Sequence, residues 1–270
     1  MLSGVFFYRA ARYNFRTELA YGKQTTPAQN FYLAAMTSLP PDSKAERSIV
    51  RLFRNNWLFI SGTLLLVIYN AIMLMSSKQG DTLIAINKLR TPFWDTFFKI
   101  GTHFAEPVAY VTIIIMVTAF SYRKGLFVVV AGASAGIVAG VLKAIFAQAR
   151  PMRWFFDNYE EIWHSLNLFE EEWRSWDIAS SFPSGHATSA FALYGFLAFN
   201  ARRGKLSLNA LCFLLASMVA FSRMYLLYHF LRDITAGAVL GLCIGALVYY
   251  AQKSSLKSHT WLDGGWWPGK

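Results

Sequence analysis

The stretch Asn55–Ser77, NNWLFISGTLLLVIYNAIMLMSS, runs for 23 residues without a charged side chain. A helix rises ~1.5 Å per residue, so about 20 apolar residues cross the ~30 Å hydrocarbon core of a bilayer. Five more uncharged runs follow: Pro107–Tyr122 (16 residues), Gly125–Leu142 (18), Ile178–Ala201 (24), Leu206–Ser222 (17) and Ile234–Gln252 (19). The 16-residue run is extended slightly by its flanks. Together they predict an all-α integral membrane bundle of six transmembrane helices. A further uncharged run, Gln24–Pro41, is no span, because it carries Gln, Asn, Thr and three prolines. Composition agrees: 55% of the 270 residues are hydrophobic and 15% charged, where soluble domains carry about 25% charged. So much apolar surface excludes disordered, collagenous and nucleic-acid-tail classes.

Working outward, the spans divide the chain into a basic N-terminal segment (1–54), a six-span membrane domain (55–252) and a tail (253–270). Orientation follows Lys and Arg. With both termini cytoplasmic, 16 of the 26 Lys and Arg residues face inward and 11 of the 15 acids face outward. The net charge of +11 then belongs to the cytoplasmic face, where anionic lipid headgroups attract it. No nucleic-acid partner is needed, and oligomeric state stays open. Residues 1–24 lack a signal-peptide core, because Arg9, Arg12 and Arg16 interrupt them. Leu2, Val5, Phe6, Tyr13 and Leu19 between those arginines suit an interfacial amphipathic helix; a solvated basic arm is the competing reading. Cys212 and Cys243, both inside spans, are expected to be buried small hydrophobes.

Two outer loops are long. Lys78–Ala105 carries Phe93, Trp94, Phe97 and Phe98 with Asp95 and Lys99, the pattern of a helix lying on the outer surface. Met152–Ser181 is acidic and aromatic, with Trp154, Trp163, Trp173 and Trp176, which suits either an interfacial belt or a lid over a headgroup. Gly132, Gly136 and Gly140 line one face of the third span, and Gly237, Gly241 and Gly245 one face of the sixth. Small residues at this spacing let helices approach closely in lipid. The two stripes are expected to pack together or to support dimerisation.

Ionisable residues at span ends are functional candidates by default. Lys143 closes the third span and Arg150-Pro151 follows. Ser181-Phe182-Pro183-Ser184-Gly185-His186 opens the fourth. Ser222-Arg223 closes the fifth, and His229 and Asp233 precede and open the sixth. All three clusters fall on the outer side of this topology. Lys143, Arg150 and Arg223 suit an anion with several oxygens, since arginine forks and a lysine point charge both hold phosphate. Pro183 marks a helix start whose amides and dipole favour phosphate at Ser184 and Gly185. His229 and Asp233 are four apart and would share a helix face, so the carboxylate fixes one ring nitrogen and frees the other to attack phosphorus. His186 would then protonate the leaving group and later activate water. No carboxylate or cysteine cluster suggests a metal, so the chemistry is expected to be metal-free, without a cofactor. His103, Glu106 and His164 have no motif support, although Glu106 opens the second span.

These residues resemble a known family. Lys143-x6-Arg150-Pro151, Pro183-Ser184-Gly185-His186 and Ser222-Arg223-x5-His229-x3-Asp233 are similar to the three signature motifs of the type 2 phosphatidic-acid phosphatase superfamily. They span about a third of the chain, and the six-span layout resembles the family's membrane branch. The resemblance implies phosphate binding by Lys143, Arg150, Ser184, Gly185 and Arg223, with His229 as nucleophile, His186 as acid/base and Asp233 as orienting group. It implies hydrolysis of a lipid phosphate, such as a polyprenyl pyrophosphate, a lipid A phosphate, phosphatidylglycerophosphate or phosphatidate, at the outer face of the cytoplasmic membrane. A lipid-to-lipid phosphotransferase would use the same residues. A vanadate haloperoxidase shares the anion site but not the spans. A transporter would explain buried charges but not the His229–Asp233 spacing.

Overall fold

In a computed structural model, the structure describes residues 44–168, 180–201, 203–255 and 259–267, with side chains from residue 49 onward. The amphipathic segment expected over residues 1–24, and Trp173 and Trp176, lie outside the described residues. The chain divides into two units, Met1–Val50 and Arg51–Lys270. Helix α1 (Lys44–Asn55) crosses that boundary, and every later element belongs to the second unit. In chain order they are α2 (Trp57–Ser76), α3 (Asp81–Lys88), α4 (Pro92–Thr102), α5 (Pro107–Phe120), α6 (Tyr122–Phe146), α7 (Pro151–Asn158), α8 (Glu160–Ser165), α9 (Gly185–Asn200), α10 (Lys205–Tyr225) and α11 (Leu231–Ser254). No strand occurs among the described residues.

Helix α9 is the central post. Its sequence GHATSAFALYGFLAFN is apolar on every side, which is the composition of a helix surrounded by protein. Ala187, Ala190, Phe191, Leu193 and Phe196 are all fully buried. Helices α6, α10 and α11 pack around it, and Phe59 of α2 joins through a tilted ring contact with Phe191 and an edge contact with Phe199. The opposite pattern holds at the periphery. Leu65, Ile68 and Ile72 of α2, Val108 and Met116 of α5, Ile137 and Ile145 of α6 and Leu247 of α11 point outward. Outward apolar surface on this scale is surface for lipid, and the chain is a membrane protein.

Among the described residues, four segments are long and apolar enough to cross a membrane: α2, Tyr122–Asn158 (which begins with α6), α10 and α11. A fifth arises if the pair Pro92–Ala105 and Pro107–Phe120, bent by 54°, counts as one span. The bend has a local cause. Glu106 is extended (φ −90°, ψ 168°), as residues before proline tend to be, and Pro107 then starts α5 afresh. Helix α9, with 16 residues, is shorter than the usual span.

The two glycine stripes do not meet. A Cβ at Gly237 would lie 2.8 Å from the Ser184 carbonyl, and one at Gly241 2.5 Å from that of Thr188. One at Gly245 would lie 3.0 Å from the Ala192 carbonyl. The stripe on α11 therefore seats α9, not α6, at backbone contact distance. On α6, Gly136 and Gly140 face open space, while Ala131, Ala135 and Ala139, one position earlier and so about 100° around the helix, form the buried face. Cys212 is buried as expected, but Cys243 is exposed on the outward side of α11.

Candidate active site

Packing α9 antiparallel to α6 and α10 brings three helix ends to one place, and each ends for a stated reason. Helix α6 stops because Ala147 turns left-handed (φ 41°) and returns its N–H to the Lys143 carbonyl at 2.9 Å. The chain then extends through Arg150, whose ψ of 160° is set by the proline after it. Helix α9 begins at Gly185 with Ser184 as its N-cap, the Ser184 hydroxyl accepting from the Ala187 amide at 3.4 Å. Pro183 thus lies just outside the helix. The first amides of α9 point out of its end, and Lys143 Nζ lies 3.7 Å from where a Gly185 Cβ would be.

The link from α10 to α11 is the tightest part. Both the Tyr228 and His229 amides donate to the Arg223 carbonyl, at 2.9 and 3.1 Å, and Leu227 adopts φ 57° to make the turn. His229 is 1% exposed and Asp233 fully buried. His229 precedes α11 and does not share a helix face with Asp233. Their pairing comes instead from capping: Asp233 stands at the third position of the helix, where its Oδ2 accepts from the Phe230 amide at 2.9 Å. That same oxygen accepts from the Ser181 hydroxyl and lies 3.6 Å from His229 Nδ1. The Asp233 carbonyl also accepts from the Ser184 amide at 3.0 Å. One carboxylate residue thus ties the His229 turn to the segment carrying Ser184, Gly185 and His186.

Two of the cations have neutral groups among their partners. Arg223, in the last turn of α10, donates to Thr102 Oγ1 at 2.8 Å and stacks 4.1 Å over the Tyr228 ring. Arg150 donates to Ser180 Oγ at 3.3 Å. Lys143 feels the charges of Arg150, Arg223 and Asp233, and His186 those of Arg223, Lys143 and Arg150 together with His229. All eight residues singled out in the sequence therefore converge: Lys143, Arg150, Ser184, Gly185, His186, Arg223, His229 and Asp233. Three cations in so small a volume repel one another, and an anion with several oxygens relieves the repulsion. Burial lowers the His229 imidazole to about 4, with Arg223 and Arg150 pushing the same way and Asp233 opposing them. The ring is neutral at pH 7, with a lone pair to use.

Motifs alone did not reveal the supporting residues. His186 Nε2 lies 3.5 Å from Glu106 Oε1, and the other oxygen of Glu106 contacts His103 Nδ1 at 2.6 Å. Thr102, Ser180, Ser181 and Tyr228 are the remaining supports. The signal for Glu106 was its charge at the opening of a span; the hydroxyls gave none. His164 pairs only loosely with Glu160, at 3.9 Å on an exposed turn. Among the described residues, no three His, Cys, Asp or Glu side chains gather as a metal site.

The family model described as the PAP2 superfamily matches residues 124–257, which contain all eight of these residues. The chain belongs to the PAP2 superfamily. Its PAP2 fold resembles that of LpxE from Aquifex aeolicus, at a TM-score of 0.52 and 24% identity over 64% of this chain and 94% of that one. It also resembles a transmembrane PAP2-type phosphatidylglycerolphosphate phosphatase from Bacillus subtilis, at a TM-score of 0.51 and 23% identity over 76% and 98%. A PA-phosphatase related-family protein of Dictyostelium discoideum is 38% identical over 90 residues, 29% of this chain and 33% of that protein. The chain spans about a third of the length of that curated relative. In PAP2 terms, the matched region holds α9, α10 and α11 entire and the part of α6 that carries Lys143.

Proposed function

We propose that this protein is a membrane lipid phosphatase that works through a phosphohistidine intermediate. The observation that carries the reading is the gathering of a buried, neutral His229, a half-buried His186 and three cations at one end of the bundle. In the proposed first step the free nitrogen of His229 attacks phosphorus and the P–O bond to the lipid breaks. The departing oxygen takes a proton from His186. Asp233 orients the His229 ring and offsets the charge it acquires. In the second step water attacks the phosphohistidine, gives its proton to His186, and phosphate leaves. Lys143, Arg150, Arg223 and the α9 amides hold the three equatorial oxygens throughout, where fixed charge in a site with little water lowers the barrier most.

We further read the bundle as six spans, with both termini cytoplasmic and the site facing the exterior of the cytoplasmic membrane. The short α9 fits this count because protein surrounds it, so it need not match the hydrocarbon thickness by itself. Substrates of the proposed class are polyprenyl pyrophosphates, lipid A phosphates, phosphatidylglycerophosphate and phosphatidate, and the mechanism as proposed needs no metal. The test is purified protein incubated with a panel of these lipids in EDTA, reading free phosphate and phosphorylated lipid separately. Free phosphate that disappears in His229→Ala is the expected result. A phosphorylated acceptor lipid would make the protein a phosphotransferase, and loss of activity in EDTA would overturn the metal-free step.

A further inference from the structure

A polar cavity of about 690 Å³ opens at the other end of the same helices. Its volume lies within the ~300–1,000 Å³ usual for small-molecule sites. Arg123 and Lys124 from the start of α6, Lys205 from the start of α10, and Tyr249, Gln252 and Lys253 from the end of α11 line it. Nineteen residues of helix separate Lys124 from Lys143, so the cavity lies about 28 Å from the histidine site.

The four cations are not equivalent. Arg123 is occupied in folding: it donates to Asp263 at 2.8 Å, to the Ser255 carbonyl at 3.0 Å and to the His259 carbonyl at 3.1 Å. Tyr122 N to the Gly264 carbonyl (2.8 Å) and Trp267 N to the Ala119 carbonyl (2.9 Å) complete the attachment of the C-terminal segment to the α5–α6 turn. Asp263 offsets this one arginine. Lys205 and Lys253 line the cavity without a carboxylate bridged to either among the described lining residues. Lys253 sits 4.5 Å over the Tyr249 ring, Lys205 donates one of its protons to the Ala201 carbonyl at 3.1 Å, and the two ammonium groups are close enough to repel. Gln252, 7% exposed, keeps a buried side-chain oxygen with no partner.

We propose that this cavity is an anion site, separate from the histidines, which holds a phosphate that carries a neighbouring hydroxyl. Lysines grip phosphate as point charges with several donors each, and a hydroxyl beside the phosphate supplies the proton that the Gln252 oxygen lacks. Glycerol phosphate has this chemistry, either as the headgroup of an anionic phospholipid or as a free ester. Basic pockets between the ends of membrane helices are suited to such headgroups. The site does not depend on the phosphatase reading.

Native mass spectrometry of the full chain in detergent tests it, with phosphatidylglycerol, phosphatidylcholine and free glycerol phosphate as probes. Wild type and His229→Ala are expected to retain phosphatidylglycerol equally and in preference to phosphatidylcholine. Lys205→Gln/Lys253→Gln is expected to bind it about thirty-fold more weakly, from about a kilocalorie per lysine. Displacement by free glycerol phosphate, lost in the same double variant, would identify the soluble ester as the source. Gln252→Leu, which leaves every charge in place, should weaken phosphatidylglycerol binding a few-fold and serves if the double variant does not fold. Equal binding by wild type and both variants, no preference for the anionic lipid, or loss of binding in His229→Ala would each overturn the proposal.

Discussion

The two histidines occupy contrasting surroundings. His229 is fixed from all sides: its amide is tied back to Arg223, its neighbour Phe230 caps α11 through Asp233, and its ring is almost completely buried. His186 projects from the first turn of α9, about a third of its side chain is exposed, and its neighbour is a carboxylate at 3.5 Å from a different helix end. A group that must approach phosphorus along one line benefits from rigidity, because misplacement by an ångström is costly. A group that passes a proton first to a leaving oxygen and then from water needs room and access. The contrast teaches that motif membership does not describe how a residue is held.

Four substitutions and a pH profile test this contrast. The largest effect is expected from His229→Ala, a loss in phosphate release on the order of 10⁴-fold or more, with no labelled enzyme after mixing with radioactive substrate. Label that still appears would move the nucleophile elsewhere. Asp233→Asn should come next, on the order of 10³-fold in kcat, together with a lower melting temperature, because the same carboxylate holds Ser181 and the Phe230 amide. A rate loss with an unchanged melting temperature would separate its orienting role from its structural one.

His186→Ala should then cost about 10²-fold on an alkyl phosphate and much less in the first turnover of a nitrophenyl phosphate, whose leaving group needs no proton. The expected signature is a burst of nitrophenolate followed by slow turnover. Equal losses on both substrates would remove His186 from the acid role. Glu106→Gln should be the mildest, about five-fold, as expected for a partly exposed carboxylate beside an imidazole. It should leave the His229 limb of the pH profile alone. That limb is expected near pH 4, because the neutral ring persists until protonation removes its lone pair. The unfolded chain's imidazole protonates near 6.5, so folding stability should also fall as pH drops from about 6.5 towards 4. After correction for substrate ionisation, an acid limb near 6.5 in kcat/KM would contradict the buried, cation-flanked setting of His229.

Much of the candidate site is legible in the sequence, since few residue types could hold a phosphate and each cluster lies within a few residues of a helix end. The supports were not legible. Thr102 meets Arg223 across 121 residues and Ser181 meets Asp233 across 52, and a hydroxyl in sequence looks the same whether it faces a guanidinium or nothing. The spacing of His229 and Asp233 suggests a shared helix face, yet the pair is made by a turn and an N-terminal cap. The glycines show the same limit. Both stripes have identical spacing, yet one seats a neighbouring helix against backbone while on the other Gly132 meets the Tyr110 ring and Gly136 and Gly140 face outward, because spacing sets a helix face and not the partner opposite it.

By itself, the sequence determined the solvent, the helical class and the residues that come together, because a long uncharged run has only one way to satisfy its backbone in hydrocarbon and three cations at helix ends call for an anion. Tertiary structure alone decided that α9 is the core, that the glycine stripe of α11 rather than that of α6 seats it, and that Glu106, Thr102 and Ser181 stand behind the motif residues. Those choices depend on which surfaces fit at van der Waals distance, and in lipid that fit replaces the hydrophobic force that would otherwise drive helices together.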